Sequence, residues 1–326
     1  MIKKIIFILN KFKKPIDVVF FFILIPVSII FLIYRKIGTH KLTISRNIFK
    51  LIGVFPIIDH YYEPQFNFDS LSKDLSKDRN LKGINFNLKK QFINIKKLDF
   101  TNELIQLNLK KNSPNYKFNI NNKFFEAGDA DIYYQVIRHL KPSKIIEVGS
   151  GFSTLIALEA IKKNKEDNKS LQNNNIITCI EPYENKWLES FDVNIIRKKI
   201  EDINFKKFLD LKKNDILFID SSHIIRPQGD VLAIFLEILP KLSKGVIVHV
   251  HDIFTPKNYP KKWLIEENKF WNEQYLLEAL ISNTNKYEIF LSLNFLKNKF
   301  YKELKKICPY LSKRDEPSSL YLRIKE

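Results

Sequence analysis

Two short clusters hold the side chains best suited to moving a proton or binding a cation. Asp220, Ser221, Ser222 and His223 follow the apolar run Ile216 to Ile219, and His249, Val250, His251 and Asp252 follow Val246 to Val248. An imidazole with a pKa near neutrality is fitted to take a proton from a hydroxyl. His223 and His251 are therefore alternative general bases, with Asp252 beside them. His249 lies two residues back on the same strand face and reads as a hydrogen-bonded core histidine. The same groups suit a divalent ion, held by Asp220 and Asp252 with His251 (or His223). Magnesium favours carboxylates and water, whereas His-x-His tilts toward zinc, iron or manganese.

Such clusters need elements that deliver them to one edge. Residues 144–154 give the clearest element signal: an apolar run (Ile145, Ile146, Val148) interrupted by Glu147, a Gly149-Ser150-Gly151 turn, then Ser153 and Thr154 opening an apolar helix. This predicts a buried strand, a tight turn and a helix start whose free N–H groups face a ligand. A nicotinamide-binding fingerprint wants a third glycine at or just after Phe152. Glu147 suits a cationic or amine-bearing ligand and would repel a pyrophosphate.

Further strands follow at Ile176 to Ile180, ending on Glu181, at Val193 to Ile196, leading to Glu201 and Asp202, and at Ile216 to Ile219, ending on Asp220. Asp230 to Leu242 repeats apolar residues at helical spacing, and Gly245 to Asp252 reads as a fifth strand. Asn272 to Ile281 and Phe295 to Cys308 read as helices, and Tyr287 to Leu293 and Ser319 to Ile324 as strands. Strands alternating with helices imply an α/β fold with a doubly wound parallel sheet. Ligands of such sheets bind beyond the carboxyl ends of the strands.

The turn and its strand resemble the first motif of class I S-adenosylmethionine (SAM)-dependent methyltransferases, over Phe124 to Glu326. That resemblance implies a Rossmann-like sheet of about seven strands with the last inserted antiparallel. It implies SAM bound by Glu147, Gly149, Ser150, Gly151, Ser153, Thr154, Glu181, Glu201, Asp202 and Asp220. An acid ending the second strand, here Glu181, grips ribose hydroxyls. His251-Asp252 with Phe254, Pro256, Tyr259 and Pro260, then Trp271 to Tyr275, resembles a subfamily that keeps HDIF-x-P-x-x-YP and WNEQY segments. There the aromatics wall the acceptor pocket, unless Trp271 and Tyr275 simply pack on the sheet, and Glu273 or Gln274 hydrogen-bonds a polyol.

The N-terminus is different material. Val18 to Tyr34 is seventeen residues without a charge, preceded by Lys3, Lys4, Lys11, Lys13 and Lys14. At ~1.5 Å per residue such a helix spans about 25 Å, close to the hydrocarbon thickness. No alanine occurs before Ala127, which argues against a cleavage site. The segment is apolar all round, unlike an amphipathic core helix. Pro26 allows a kink or a re-entrant turn. Five more basic residues follow (Arg35, Lys36, Lys41, Arg46, Lys50), so charge does not set the orientation; cofactor supply puts the large domain in the cytosol.

The net charge of +18 is half contained in the first fifty residues. A basic collar drawn to anionic lipid explains it, and no aromatic-interleaved basic stripe points to nucleic acid. Cys179 and Cys308 read as core filler. Four regions are expected: a basic segment 1–15, a membrane anchor 16–36, a linker and helical cap 37–123, and the catalytic domain 124–326. In the third, Phe55 to Pro64 is a polar-aromatic linker or a substrate lid, and Leu71 to Leu81 and Leu88 to Leu109 are predicted helices. The reading is a membrane-anchored SAM-dependent O-methyltransferase acting on a glycan, lipid-linked sugar or other small polar acceptor. Its rivals are a non-catalytic anchored scaffold and another Rossmann-type enzyme, hydroxylase-like or NAD-dependent.

Overall fold

The computed structural model describes residues 9–67, 71–110, 117–168, 176–183 and 185–326. Lys3, Lys4 and residues 169–175 lie outside the described residues. The chain divides into two compact units, before and after Lys73.

In the first unit, α1 (Lys13–Ile37) runs continuously through Pro26 and ends at Gly38, whose φ of 103° closes the helix. Among the described residues, Asn10–Ile37 is long and apolar enough to cross a membrane, and its apolar stretch buries nothing. α2 (Thr43–Ile52) stands in what the sequence reading takes as linker. It folds back so that Phe49 meets Phe31 and Tyr34 edge-on, with ring centroids 5.6 and 5.1 Å apart. Phe55 joins the same cluster against Tyr34 and Phe49, and Arg35 pairs with Glu63. Phe55 thus makes its ring contacts with α1 and α2, while His60, Tyr61 and Tyr62 lie tilted against one another, the two tyrosines in solvent.

The second unit opens with irregular chain. The helix predicted over Leu71 to Leu81 does not form. Asp74 accepts the Ser76 N–H in a local turn, and Arg79 is drawn out to Glu278 and to the Lys257 carbonyl. The helix predicted from Leu88 to Leu109 is two, α3 (Leu88–Lys97) and α4 (Thr101–Leu107). They break because the Gln135 side chain takes the Phe100 N–H. α5 (Asp129–Leu140) follows.

Then come β1 (Ile145–Val148), α6 (Phe152–Asp167), β2 (Ile177–Ile180), β3 (Asn194–Ile196), β4 (Ile216–Ile219) and β5 (Ile247–Val250). The predicted Asp230 helix is α-helical only to Leu232, widens to a π-helix over Ala233–Ile238 and tightens over Leu239–Lys241. α7 (Glu273–Ile281), β6 (Tyr287–Ser292), α8 (Leu293–Ile307) and β7 (Leu320–Ile324) complete the unit.

The seven strands lie in the order β3-β2-β1-β4-β5-β7-β6. β7 is antiparallel to both neighbours and the rest pair parallel. This is the Rossmann-like, last-strand-antiparallel sheet that the resemblance implied. Both faces are covered, which is why the strands read as mainly apolar runs. Ile145, Cys179, Phe218 and Ile247 enter one core and Ile146, Leu217, Ile219 and Val248 the other.

Register positions the site. Val148 pairs with Ile180 and Ile219, and Ile219 pairs with Val250. The four central strands therefore stop level, so Gly149, Glu181, Asp220 and His251 form one row along their carboxyl edge. Strand order reverses at β1, where open parallel sheets part to admit a ligand.

Candidate functional site

The turn after β1 is built from the inside. Gly149 has φ +75°, and a Cβ there would lie 2.0 Å from the Asp220 carbonyl oxygen, so only glycine lets the turn cross the end of β4. Asp220 in turn donates its N–H to the Val148 carbonyl at 2.8 Å. Glu147 lies wholly buried below the turn. Its carboxylate accepts the Tyr133 hydroxyl at 3.1 Å and the Thr154 hydroxyl at 2.5 Å, and Thr154 Oγ1 accepts the Gly151 N–H. Burial pushes the Glu147 carboxyl up to about 7, against the pull of these donors. Glu147, Ser153 and Thr154 are thus buried supports of the turn.

A cleft of about 240 Å³ opens over that row, lined by Gly149, Glu181, Glu201 and Asp220 among the expected residues. Glu181 reaches across the turn, accepting the Ser150 and Tyr183 N–H groups. Asp202 shares the 3₁₀ turn Ile200–Asp202 with Glu201 but is exposed outside the lining. The sequence reading missed Tyr183, Lys199 and Arg226 in this wall, which Ser222 of the predicted cluster also lines. It also missed Asn185, whose amide donates to the Ser150 carbonyl at 2.8 Å and flanks Gly151. Polar types just past strand ends were the available signal.

Beside the cleft the two proton-handling clusters converge. His223 is buried, with a left-handed φ of 61°, and Asp252 has φ 59°. Non-glycine residues held there carry strain of about 1–3 kcal/mol each. What holds His223 is the N-terminus of α7: its carbonyl accepts the Asn272 and Glu273 N–H groups. Its Nδ1 lies 2.8 Å from Glu273 Oε2, and Ser221 donates to the other Glu273 oxygen. Glu273 is fully buried, and Gln274 is spent on the Phe254 N–H and Lys257 carbonyl. Both side chains the sequence reading offered to a polyol are thus engaged inside the fold. Trp271 lies on the His223 ring at 4.1 Å, half-exposed, while Tyr259 is buried and Tyr275 packs edge-on against it.

The other imidazole nitrogen, Nε2, faces Asp220 at 3.2 Å and Asp252 at 3.6 Å. His251 Nδ1 faces the same acids at 3.8 and 3.5 Å, with Asp129 3.7 Å from its Nε2. Among the described residues Asp220, His223 and Asp252 form a group whose ligand atoms lie within 4.8 Å of one another. His249 bonds Ser319 at 2.7 Å and stacks on Tyr321, as a core histidine does.

The electrostatics separate these imidazoles. For His223 burial opposes the charged form, yet bonds to Asp220 and Glu273 outweigh it and push the ring up to about 10. His251 is likewise penalised by burial and raised well above its ordinary value by Asp252, Asp129 and Asp220. Asp220 is penalised by burial as well, but its two histidines hold it well below the usual carboxylate range. Burial dominates at Asp252, which is raised, and at His249, which is pushed far down.

Residues 146–253, the span from β1 past β5, match a family described as a methyltransferase domain. The matched span is thus a methyltransferase domain with SAM as methyl donor, and its strand order is the one the class I resemblance implied. An uncharacterised protein of Archaeoglobus fulgidus is 28% identical over 172 residues, covering 48% of this chain and 74% of its own. The S-adenosylhomocysteine (SAH)-bound methyltransferase PaMTH1 of Podospora anserina superposes with a TM-score of 0.38 at 14% identity, over 72% of this chain and 88% of its own. An O-methyltransferase of Bacillus cereus in complex with SAH superposes with a TM-score of 0.38 at 11% identity, over 72% and 91%.

Proposed function

We propose that this chain is a membrane-anchored O-methyltransferase that methylates a hydroxyl of a glycan, a lipid-linked sugar or another small polar acceptor. The observation carrying this reading is the Glu273–His223 pair aimed at Asp220 and Asp252, on the strand edge beside the cleft. Glu181 and Glu201 accept hydrogen bonds from the nucleoside, and the turn at Gly149 and Ser150 receives the methionine end. In the transfer the hydroxyl oxygen attacks the methyl carbon, the S–CH₃ electron pair stays on sulfur, and the hydroxyl proton passes to His223 Nε2.

Glu273 holds Nδ1 protonated, so Nε2 is the accepting nitrogen. The acids around the ring favour a proton on it already. The positive charge of SAM at the same edge opposes that proton and frees the ring to act. α1, apolar and unburied, supports an anchor that keeps the site near lipid-borne acceptors, with the catalytic domain facing the cytosol, where SAM is made.

A second reading uses the same side chains as ligands. Asp220, His223 and Asp252 fit a divalent cation, with two carboxylates and an imidazole whose far nitrogen is tied to a carboxylate. The field that raises the proton affinity of His223 is the field that attracts such an ion. A cation held there would favour the acceptor's alkoxide over its alcohol.

The test is transfer of tritiated methyl from SAM to saccharide and lipid-linked saccharide fractions by the full-length protein in membranes. Alkali-stable label in those fractions supports the proposal. Label confined to amines or nucleic acid, or tight NAD binding without SAM affinity, ends it. Loss of transfer on chelation, restored by magnesium or manganese, selects the second reading; indifference to chelation removes it.

A further inference from the structure

α2 carries an apolar stripe that the fold leaves uncovered. Ile44, Ile48, Leu51 and Ile52 are 81, 52, 87 and 67% exposed. At ~100° per residue their spacing of i, i+4, i+7 and i+8 places them within an arc of about 100°. Arg46 and Lys50 fall on the opposite side, and Phe49 lies midway between that side and the stripe, where it packs on Phe31 and Tyr34. Those two residues belong to the last two turns of α1. Phe49 therefore ties α2 to the end of the uncharged stretch, where a spanning helix passes from hydrocarbon into headgroups.

We infer that α2 is an interfacial helix that lies along the membrane surface with its Ile44–Ile52 stripe in the acyl–headgroup boundary; this rests on the reading of α1 as a membrane anchor. Three observations select lipid as the occupant. The stripe lies on a helix that packs on the end of α1, whose most apolar window is likewise unburied. Lys41, Arg46 and Lys50 join Arg35 and Lys36 in a collar with no acid between residues 35 and 50, which suits anionic headgroups. Tyr34 is buried at the junction against Phe49 and Phe55, so the protein's own contacts there leave the stripe exposed.

Nitroxide labels on single introduced cysteines test this in the full-length protein, reconstituted in vesicles of mixed phosphatidylcholine and phosphatidylglycerol. The native Cys179 and Cys308 are buried, so labelling is selective. The label at Leu51→Cys should collide several-fold more with lipid-dissolved oxygen than with a water-soluble nickel chelate, and the label at Lys50→Cys, on the opposite side of α2, the reverse. Ile25→Cys reports on the anchor separately. If Ile25→Cys is lipid-embedded while Leu51→Cys meets the chelate as freely as Lys50→Cys, the interfacial helix is wrong and the anchor stands. If Ile25→Cys meets the chelate, the anchor reading fails and this inference falls with it.

Discussion

Glu147 and Asp220 leave neighbouring strands of one sheet and meet opposite fates. Glu147 points below the turn, where Tyr133 and Thr154 satisfy both of its oxygens. Asp220 follows β4 into the cleft wall, its side chain 40% exposed and faced by two imidazoles. The first acid is paired with neutral donors inside the protein, and its charge is disfavoured. The second keeps its charge and an open face. A carboxylate whose lone pairs are all spent internally organises backbone, whereas one opposed by strapped histidines beside a cleft is equipped for chemistry.

The sharpest way to break that contrast is to disturb the point where the two strand ends touch. Gly149→Ala sets a methyl group against the Asp220 carbonyl at a left-handed φ, and should cost about 3 kcal/mol or more in urea unfolding. An unchanged midpoint would mean the two ends are not in contact. On the Asp220 side, Glu273→Gln should lower methyl transfer by about 10²-fold or more, with little change in SAM affinity, because His223 loses the partner that fixes its accepting nitrogen. Equal loss of SAM binding in calorimetry would recast Glu273 as part of the cofactor site.

On the Glu147 side the signature is pH. Its carboxyl is raised from 4.5 to about 7 in the fold, so the folded state binds the extra proton. Its stabilising share is present below 4.5 and lost as pH rises through 7, a swing of about 3 kcal/mol. Glu147→Gln should remove the swing, so the variant gains on the wild type between pH 4.5 and 8 in paired denaturant melts. Parallel profiles for the two proteins would show that the buried carboxyl titrates normally. Last, Glu181→Ala should weaken SAM by roughly 1.5–3 kcal/mol, by losing charge-assisted bonds to ribose; unaltered affinity would remove that role.

The strands and their terminal acids were legible because a parallel sheet covered on both faces writes itself as apolar runs closed by polar types. What failed was whatever depended on distant partners. Nothing near Glu147 in sequence announces that Tyr133, in the helix before the strand, claims its carboxylate. Glu273 read as a polyol ligand because the 50 residues separating it from His223 hide their contact. Leu71 to Leu81 had helical spacing, but Arg79 gains two oxygens of Glu278 by leaving that conformation. α2 was legible in its i, i+4, i+7, i+8 pattern and was obscured by the longer apolar segment before it.

The insertion of β7 between β5 and β6 has a consequence for biogenesis. Ser318 and Ser319, leading into that strand, bond Asp129, Asp252 and His249. The chemistry edge is therefore stapled by residues made 190 positions after Asp129. If the first helix is the anchor proposed above, it leaves the ribosome and can engage a bilayer while the pocket still lacks its final clasp. A nascent chain would then reach its location before it could modify anything, because contacts so distant in sequence close late.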